Sequence, residues 1–198
     1  MNNRAAADNR KKYDQYFTPR WAVEALLEYV TIPPGVLIGE PCAGAGHIVD
    51  ALQENGYCTL SGEIDPEVEP IKSALGIHAP RDFLKDPRSY SGCDWIVTNP
   101  PYSTASGSAA EIFRQAIKIA PNVAMLMRLG WLEACFDRLD LLPQLSRVLV
   151  LPRVQFKGAG SSNSSPSVWC IWKEDGPGAE LIWADRALCD ELKREYGS

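Results

Sequence analysis

The chain has 198 residues, 45% of them hydrophobic, and a formal net charge of −5. This composition predicts one globular domain with an ample core, and the acidic balance argues against a surface that binds nucleic acid strongly throughout. No apolar run approaches the ~20 residues that cross a bilayer, and the start lacks a signal peptide's apolar region, so we expect a cytoplasmic protein without a membrane partner. The two histidines, His47 and His78, lie far apart, which argues against a metal site.

Charge is distributed unevenly along the chain. Residues 1–12 hold four basic side chains and one acidic one, whereas residues 174–198 hold seven acidic and three basic ones. We expect residues 1–12 to form a flexible basic arm, which is either a disordered tail or a contact for nucleic acid, ahead of a domain over 13–198. The acidic excess thus lies away from the motifs in the middle of the chain.

The first predicted elements form a strand, a turn and a helix. A helix is predicted over about 21–29, followed by a buried strand near 36 that leads into the loop 40–46 and a helix over 47–53. A strand followed by a glycine turn and a helix is typical of cofactor-binding units, because free N–H groups at the helix start face the ligand.

The residues of this loop favour a cationic ligand over a dinucleotide. Gly44 and Gly46 permit a tight turn and a close approach of a ligand to the backbone. The third glycine of the dinucleotide-binding motif is absent, since Val49 occupies its position, and Glu40 would repel a pyrophosphate. S-adenosylmethionine carries an ammonium and a sulfonium, and it suits an acid at this position.

Two later turns carry groups that suit the rest of this ligand. A strand near 58 ends at Glu63 and Asp65, either of which can accept hydrogen bonds from both ribose hydroxyls, unless the two only form a solvated turn. After a strand near 77, Asp82 can accept from the adenine amine while Phe83 lies on the ring. The alternative for Asp82 is an ion pair with Arg81. The order of these groups along one chain favours the ligand-binding interpretation.

A strand near 94 leads into the tetrapeptide Asn99-Pro100-Pro101-Tyr102. Neither proline offers a backbone N–H, so their carbonyls and the Asn99 amide oxygen form a patch of acceptors beside an aromatic ring. A conjugated NH2 group supplies two donors for this patch, and such hydrogen bonds would draw its delocalised lone pair toward tetrahedral geometry. Tyr102 would stack on a base extruded from its duplex. The alternative is a proline-terminated strand whose tyrosine only packs.

The remaining pattern completes an α/β sheet. Helices are predicted over 111–119 and 130–142, with a strand near 122 between them. Strands near 146 and 167 follow without an intervening helix, so they should form an antiparallel hairpin.

The segment 153–173 has three basic residues and no acidic one, which fits contact with phosphates. Arg153 and Lys157 are the candidates for that contact. Phe156 is a candidate second stacking face for a base, and its alternative role is packing in the core beneath a serine-rich hairpin turn.

These motifs together resemble the class I S-adenosylmethionine-dependent methyltransferases, specifically the adenine-N-6 DNA methyltransferases that carry an Asn-Pro-Pro-Tyr catalytic loop. The resemblance spans roughly residues 13–173, with the motifs in the family's order. It implies a Rossmann-like α/β fold with a mostly parallel seven-stranded sheet, a closing antiparallel hairpin and helices on both faces. It also implies methyl transfer from S-adenosylmethionine to the N-6 amine of an extruded adenine in DNA.

The resemblance also assigns roles to particular residues. It implies cofactor contacts from the loop, turn and Thr-Pro motif residues Tyr16, Phe17, Thr18, Pro19, Glu40, Pro41, Cys42, Ala43, Gly44, Gly46, Glu63, Ile64, Asp65, Asp82, Phe83 and Asn99. It implies catalysis by Asn99, Pro100, Pro101 and Tyr102, and acceptor binding by Tyr102, Arg153, Phe156 and Lys157. No metal is implied.

The chain departs from the family in one respect. Only about 25 residues follow the predicted hairpin, which leaves no room for the target-recognition domain of sequence-specific members. Recognition is then read from loops or supplied by a specificity subunit or a homodimer, or else the substrate is single-stranded or RNA. Small methyltransferases of phage type are similar in this compactness. Glutamine-N-5 protein methyltransferases and a noncatalytic methyltransferase-fold subunit are further alternatives, because a carboxamide presents the same planar NH2 group.

Overall fold

A computed structural model describes residues 17–66, 81–102, 109–134, 145–156, 166–173 and 178–197. Within these ranges the regular elements are, in chain order, α1 (Arg20–Tyr29), β1 (Leu37–Glu40), α2 (His47–Glu54), β2 (Cys58–Ser61), a 3-10 turn (Pro87–Tyr90), β3 (Trp95–Thr98), α3 (Ala109–Ile119), β4 (Asn122–Arg128), α4 (Gly130–Ala134), β5 (Leu145–Val150), β6 (Ser167–Lys173), β7 (Glu180–Trp183) and α5 (Arg186–Tyr196).

The described strands form one sheet in the order β2-β1-β3-β4-β6-β5-β7. β1 pairs in parallel with β2 and with β3, and β3 pairs in parallel with β4. β6 runs antiparallel between β4 and β5, whereas β7 lies parallel to β5. The predicted fold class is therefore confirmed: a mostly parallel α/β sheet that contains an antiparallel hairpin.

Helices cover both faces of the sheet. Residues alternate between the two faces along each strand, so each strand contributes side chains to two cores. Along β4, Ala124 and Leu126 point to a core shared with α1, α2 and α5, where Trp169 is fully buried. Met125 lies on the other face, in the core shared with α3. The strands buried on both faces are mainly apolar, as is typical of parallel sheets, with buried polar residues such as Glu40 and Thr98 at their carboxyl ends.

Helix α1 begins where its sequence predicts. Pro19 occupies its N-cap position, and proline can stand there because a helix start needs no backbone donor from it. The apolar residues Trp21, Ala25 and Leu26 are each at most 1% exposed, which fixes the helix against the sheet. The indole nitrogen of Trp169 donates to the Ala22 carbonyl at 2.7 Å, adding a buried link between β6 and this helix.

Most predicted elements are confirmed. β1 to β6 match the strands predicted near 36, 58, 94, 122, 146 and 167, and α1 to α3 match the helices predicted over 21–29, 47–53 and 111–119. α4 covers the start of the helix predicted over 130–142. The rest of that helix and the strand predicted near 77 lie outside the described residues.

The strand β7 and the helix α5 were not predicted. β7 extends the sheet beyond the hairpin, with Leu181 paired to Val148 and Trp183 to Val150. Its two largest apolar side chains are exposed, Leu181 at 58% and Trp183 at 70%, so the strand lacks the buried pattern that identifies one. α5 carries a signal that was overlooked, because the side chain of its N-cap residue Asp185 accepts from the Leu188 N–H at 2.9 Å.

Among the described residues, no helix combines the length and the apolar character of a membrane span.

Candidate functional site

The candidate site is a cavity at the carboxyl ends of the parallel strands, where open α/β sheets bind ligands. β1 and β3 are direct neighbours, so the loops that follow them meet there. The described residues that line it are Phe17, Thr18, Pro41, Cys42, Ala43, Gly44, His47, Ile48, Glu63, Ile64, Arg81, Asp82, Phe83, Leu84, Asn99, Pro101 and Ile112. The structure thus brings together residues from all of the motifs of the first hundred residues.

The glycine loop is tied to the acid that follows β2. Gly44 and Gly46 have φ angles of 50° and 87°, which only glycine adopts readily, so the turn requires both. The Gly44 N–H donates to Oε2 of Glu63 at 2.7 Å, and the Asp65 N–H donates to Oε1 of the same carboxylate at 2.9 Å. Of the two candidate acids, Glu63 lies in the cavity wall and is 5% exposed, whereas Asp65 serves as its donor.

Glu40 ends β1 as a fully buried acid. Its Oε1 accepts from the Thr98 hydroxyl at 2.5 Å and from the Cys42 N–H at 2.9 Å. Its Oε2 is buried without a hydrogen-bond partner within the described residues. Burial raises the pKa of this carboxyl from 4.5 to about 8, since charge is costly away from water. The neighbouring Cys42 thiol is also kept neutral, because burial raises its pKa well above the usual value.

The raised pKa of Glu40 predicts a stability that declines with pH. Between 4.5 and about 8 the folded protein holds a proton that the unfolded chain releases, so the free energy of unfolding falls over this range and then levels off. The Glu40→Gln variant has no carboxyl that titrates at this position. The free energy of unfolding of this variant, relative to that of wild type, should therefore rise across the same pH range. Urea denaturation from about pH 5 to about pH 9 measures this difference.

Glu180→Gln is the matched control for Glu40→Gln, because Glu180 is 59% exposed in an ion pair with Arg147. Exposed pairs contribute about 0–1 kcal/mol, so this control should follow the wild-type profile closely. Parallel profiles for wild type and Glu40→Gln would contradict a buried, protonated Glu40.

Asn99 lies directly after β3, and both the nitrogen and the oxygen of its side-chain amide contact other residues. Its Nδ2 donates to the Thr18 hydroxyl oxygen at 3.1 Å, and the Tyr102 hydroxyl lies 3.4 Å from its Oδ1. The same hydroxyl lies 3.4 Å from the Leu126 carbonyl oxygen. The guanidinium carbon of Arg128 lies 4.9 Å from the centre of the Tyr102 ring, so a cation rests against that aromatic face. Tyr102 is therefore held at its hydroxyl and at its ring.

The turn predicted to hold adenine has a buried aromatic ring. Phe83 is 4% exposed and meets the Tyr90 ring edge to face at 5.3 Å. Asp82 accepts from the Leu84 N–H at 3.1 Å and forms an ion pair with Lys85 at 3.0 Å. Both Asp82 and Phe83 lie in the cavity wall, where a cofactor contact stays a prediction.

The predicted residues outside the cavity wall occupy varied places. Pro19 and Pro100 are buried, and Gly46 is the N-cap of α2. Phe156 is half-buried and packs against the core shared with α1, while Arg153 is exposed. Tyr16 and Lys157 lie outside the described residues. The packing of Phe156 fits its alternative role in the core, and its stacking on a base stays a prediction.

Sequence reasoning missed two polar residues of the cavity wall. His47 is the first residue of α2, and its ring stacks on Phe17 at 5.0 Å with an angle of 24° between the planes. Its position directly after Gly46 was the available signal, since the first turn of a helix after a glycine loop faces the ligand. Arg81 also lines the cavity. Sequence reasoning treated Arg81 only as the ion-pair partner of Asp82.

Comparison with solved structures identifies the fold. A type I restriction-modification methyltransferase subunit from Streptococcus thermophilus matches with a TM-score of 0.64 at 12% identity, over 91% of this chain and 53% of that chain. A Listeria monocytogenes protein provisionally described as a class I S-adenosylmethionine-dependent methyltransferase matches with a TM-score of 0.59 at 13% identity, over 92% of this chain and 71% of that chain. This chain has a class I methyltransferase fold.

A third structure with this methyltransferase fold is a Pyrococcus horikoshii protein provisionally described as an RNA methyltransferase. It matches with a TM-score of 0.56 at 12% identity, over 85% of this chain and 95% of that chain. No family model and no curated protein matches the sequence. The match covers 53% of the restriction-modification subunit, so this chain spans about half the length of that protein.

Proposed function

We propose that this protein transfers a methyl group from S-adenosylmethionine to the exocyclic N-6 amine of adenine in DNA. The observation that carries the proposal is one cavity wall that contains both the glycine loop after β1 and Asn99 after β3. A methyl donor held at the first would lie beside an amine held at the second. The methyltransferase fold supports this arrangement.

The residues of the cavity fit the proposed cofactor. Glu40 lies directly before the cavity residue Pro41, and its buried Oε2 has no partner among the described residues. A cationic amino acid group bound beside this carboxyl would favour its ionised form. A Cβ at Gly44 would meet no atom within 4 Å, so the backbone there is open to a ligand. Glu63 provides a carboxylate for ribose hydroxyls, and Phe83 an apolar surface for the adenine ring. When bound, the cofactor supplies an electrophilic methyl group on its sulfonium.

The tetrapeptide after β3 fits a planar amine as acceptor. The Asn99 amide oxygen and the carbonyl of Pro100 can accept both N–H bonds, while the two prolines place no competing donor there. Those bonds would localise the nitrogen lone pair for attack on the methyl group, with S-adenosylhomocysteine as the leaving group and with one proton lost from the amine nitrogen. Tyr102 offers a ring for stacking, worth about 1–3 kcal/mol per base, with Arg128 against it.

Two observations favour a nucleic acid over a glutamine side chain. Arg128 and Arg153 place positive charge at the carboxyl end of β4 and shortly after β5, on the side of the sheet where the cavity lies. Such charges suit a phosphate backbone. The restriction-modification neighbour favours DNA, and its description as a subunit favours a specificity subunit or a second copy as partner. The RNA methyltransferase neighbour keeps RNA adenine as the second candidate acceptor.

A labelled-methyl assay with three acceptors tests the proposal. The protein is incubated with S-adenosylmethionine labelled in the methyl group and with DNA, RNA or a glutamine-containing protein extract, and products are digested and separated. We expect label in N-6-methyl-deoxyadenosine. Label found only in cytosine, only in RNA or only in protein would overturn the DNA adenine assignment, and absence of cofactor binding by calorimetry would favour a noncatalytic subunit.

A further inference from the structure

Glu63 binds the glycine loop as well as facing the cavity. Its Oε2 accepts from the Gly44 N–H at 2.7 Å, and its Oε1 accepts from the Asp65 N–H at 2.9 Å. The backbone carbonyl of Glu63 accepts from the Arg81 N–H at 2.6 Å. Glu63 is 5% exposed, so little water competes for these bonds. The residue is therefore held at its side chain and its backbone, and its carboxylate in turn holds Gly44.

The N–H groups of the glycine loop point into the protein. Four of the five residues in 42–46 donate their N–H groups to acceptors within the chain. These acceptors are the side chains of Glu40 and Glu63 and the carbonyls of Gly62 and Ala43. Loops of this kind bind a phosphate through free N–H groups, and few such groups remain here. The two acids thus occupy donors that an anionic ligand would need.

Gly44 needs an anchor because of its backbone conformation. Its φ angle of 50° is one that glycine adopts readily, and glycine loses more conformational freedom on folding than any other residue. A Cβ at this position would meet no atom within 4 Å, so the backbone is open on that side rather than packed. The hydrogen bond to Glu63 therefore provides much of the constraint on this part of the loop.

The same carboxylate keeps acceptor positions for a ligand. Each carboxylate oxygen can accept two hydrogen bonds, and each oxygen of Glu63 accepts one from the described residues. One further position on each oxygen matches the two adjacent hydroxyls of a ribose. A ribose bound there would touch the group that orients Gly44.

We propose that Glu63 is a positioning residue that holds the glycine loop in its ligand-binding conformation and thereby couples the two halves of the cofactor site. The inference rests on the proposed function in that the ligand carries a ribose joined to an amino acid group. It goes beyond a contact with ribose hydroxyls, because Glu63 then also affects the binding of a ligand that lacks those hydroxyls.

A pair of ligands separates the two roles. S-adenosylhomocysteine carries both ribose hydroxyls, and its 2′,3′-dideoxy analogue carries neither. Glu63→Ala removes both side-chain bonds, and we expect the Kd of the dideoxy analogue, measured by calorimetry, to rise about 5–30-fold. A residue that only contacts the ribose would weaken the binding of S-adenosylhomocysteine alone. An unchanged Kd for the dideoxy analogue would overturn the inference.

Glu63→Gln is the second variant, and it carries the test if Glu63→Ala does not unfold cooperatively in urea. It keeps the size of the side chain, but its NH2 group meets one of the two backbone N–H groups donor to donor. We expect the Kd of the dideoxy analogue to rise about 3–10-fold in this variant. An unchanged Kd here would overturn the inference in the same way.

Hydrogen exchange of the Gly44 amide, followed by NMR without any ligand, measures the loop directly. We expect exchange at least about tenfold faster in Glu63→Ala than in wild type. Asp94→Ala is the matched control, because the Asp94 carboxylate also accepts a backbone N–H, that of Leu37 at 2.8 Å, but at the opposite end of β1. It should leave exchange at Gly44 unchanged. Equal exchange in wild type and Glu63→Ala would overturn the inference.

Failure of the proposed function gives a different result. If wild type binds neither ligand, the proposed function is wrong, and the exchange rates of Gly44 alone decide whether Glu63 holds the loop. If wild type binds both ligands but methylates no DNA, only the assignment of the acceptor fails, and the ligand pair still tests Glu63.

Discussion

Asn99→Ala is expected to reduce methyl transfer about 10²–10³-fold or more while leaving the cofactor Kd within about threefold of wild type. The variant loses the oxygen proposed to polarise the acceptor amine but keeps the glycine loop after β1 and Glu63 after β2. Single-turnover transfer of a labelled methyl group measures the chemical step, and calorimetry measures cofactor binding. A large loss in the rate of methyl transfer with little change in the cofactor Kd is the result expected for a group that acts in the transition state.

Asn122→Ala is the matched control for this substitution. Asn122 begins β4 at the opposite end of the sheet, where its side-chain nitrogen donates to the Asp94 carbonyl at 3.0 Å. It should transfer methyl groups at the wild-type rate. Loss of cofactor binding in Asn99→Ala, or near-normal transfer, would contradict a catalytic amide.

Gly62→Ala is expected to lower the free energy of unfolding by about 1–3 kcal/mol, because its new Cβ would overlap the hydroxyl oxygen of Tyr90. Tyr90 is fully buried between β1 and the turn that follows β2, so its ring has little room to move. Gly178→Ala is the control, since a Cβ there would meet nothing within 4 Å. Urea denaturation measures both.

A second substitution tests the cause of that loss. The Tyr90 hydroxyl is buried and makes no hydrogen bond within the described residues, so Tyr90→Phe should be neutral or stabilising. In the Gly62→Ala, Tyr90→Phe double variant the closest remaining contacts are 3.4 Å and 3.5 Å, which are ordinary distances. Its stability should lie within about 1 kcal/mol of Tyr90→Phe alone. Simple additivity of the two single effects would refute the steric explanation.

Local sequence patterns predicted much of the fold because each confirmed element carries its own signal. β3 and β4 each contain a continuous apolar run, over 95–97 and 123–127, which is typical of buried parallel strands, and the glycines 44 and 46 mark a turn that needs positive φ angles. The carboxyl ends of parallel strands meet at one edge, so the loops after β1 and β3 could be placed together without coordinates.

Contacts between distant segments could not be predicted in this way. No local pattern indicates that Thr18 contacts Asn99, that Glu63 binds the Gly44 N–H, or that Arg128 lies against Tyr102. Each depends on side-chain directions that only the assembled sheet determines. The strand β7 was not predicted for a related reason. Its side chains Leu181 and Trp183 are apolar but exposed, whereas the apolar side chains of most strands are buried.

The C-terminal helix α5 packs against the first turn of α1, close to Thr18. Lys193 lies 4.7 Å from the centre of the Trp21 ring, and Arg20 lies 4.2 Å from that of Tyr196. Arg20 and Trp21 follow Thr18 by two and three residues. Helix α5 therefore contacts the part of the chain that places Thr18 in the cavity wall. The two ends of the described chain therefore pack together, and the position of Thr18 in the wall of the candidate site depends on a helix at the far end of the chain.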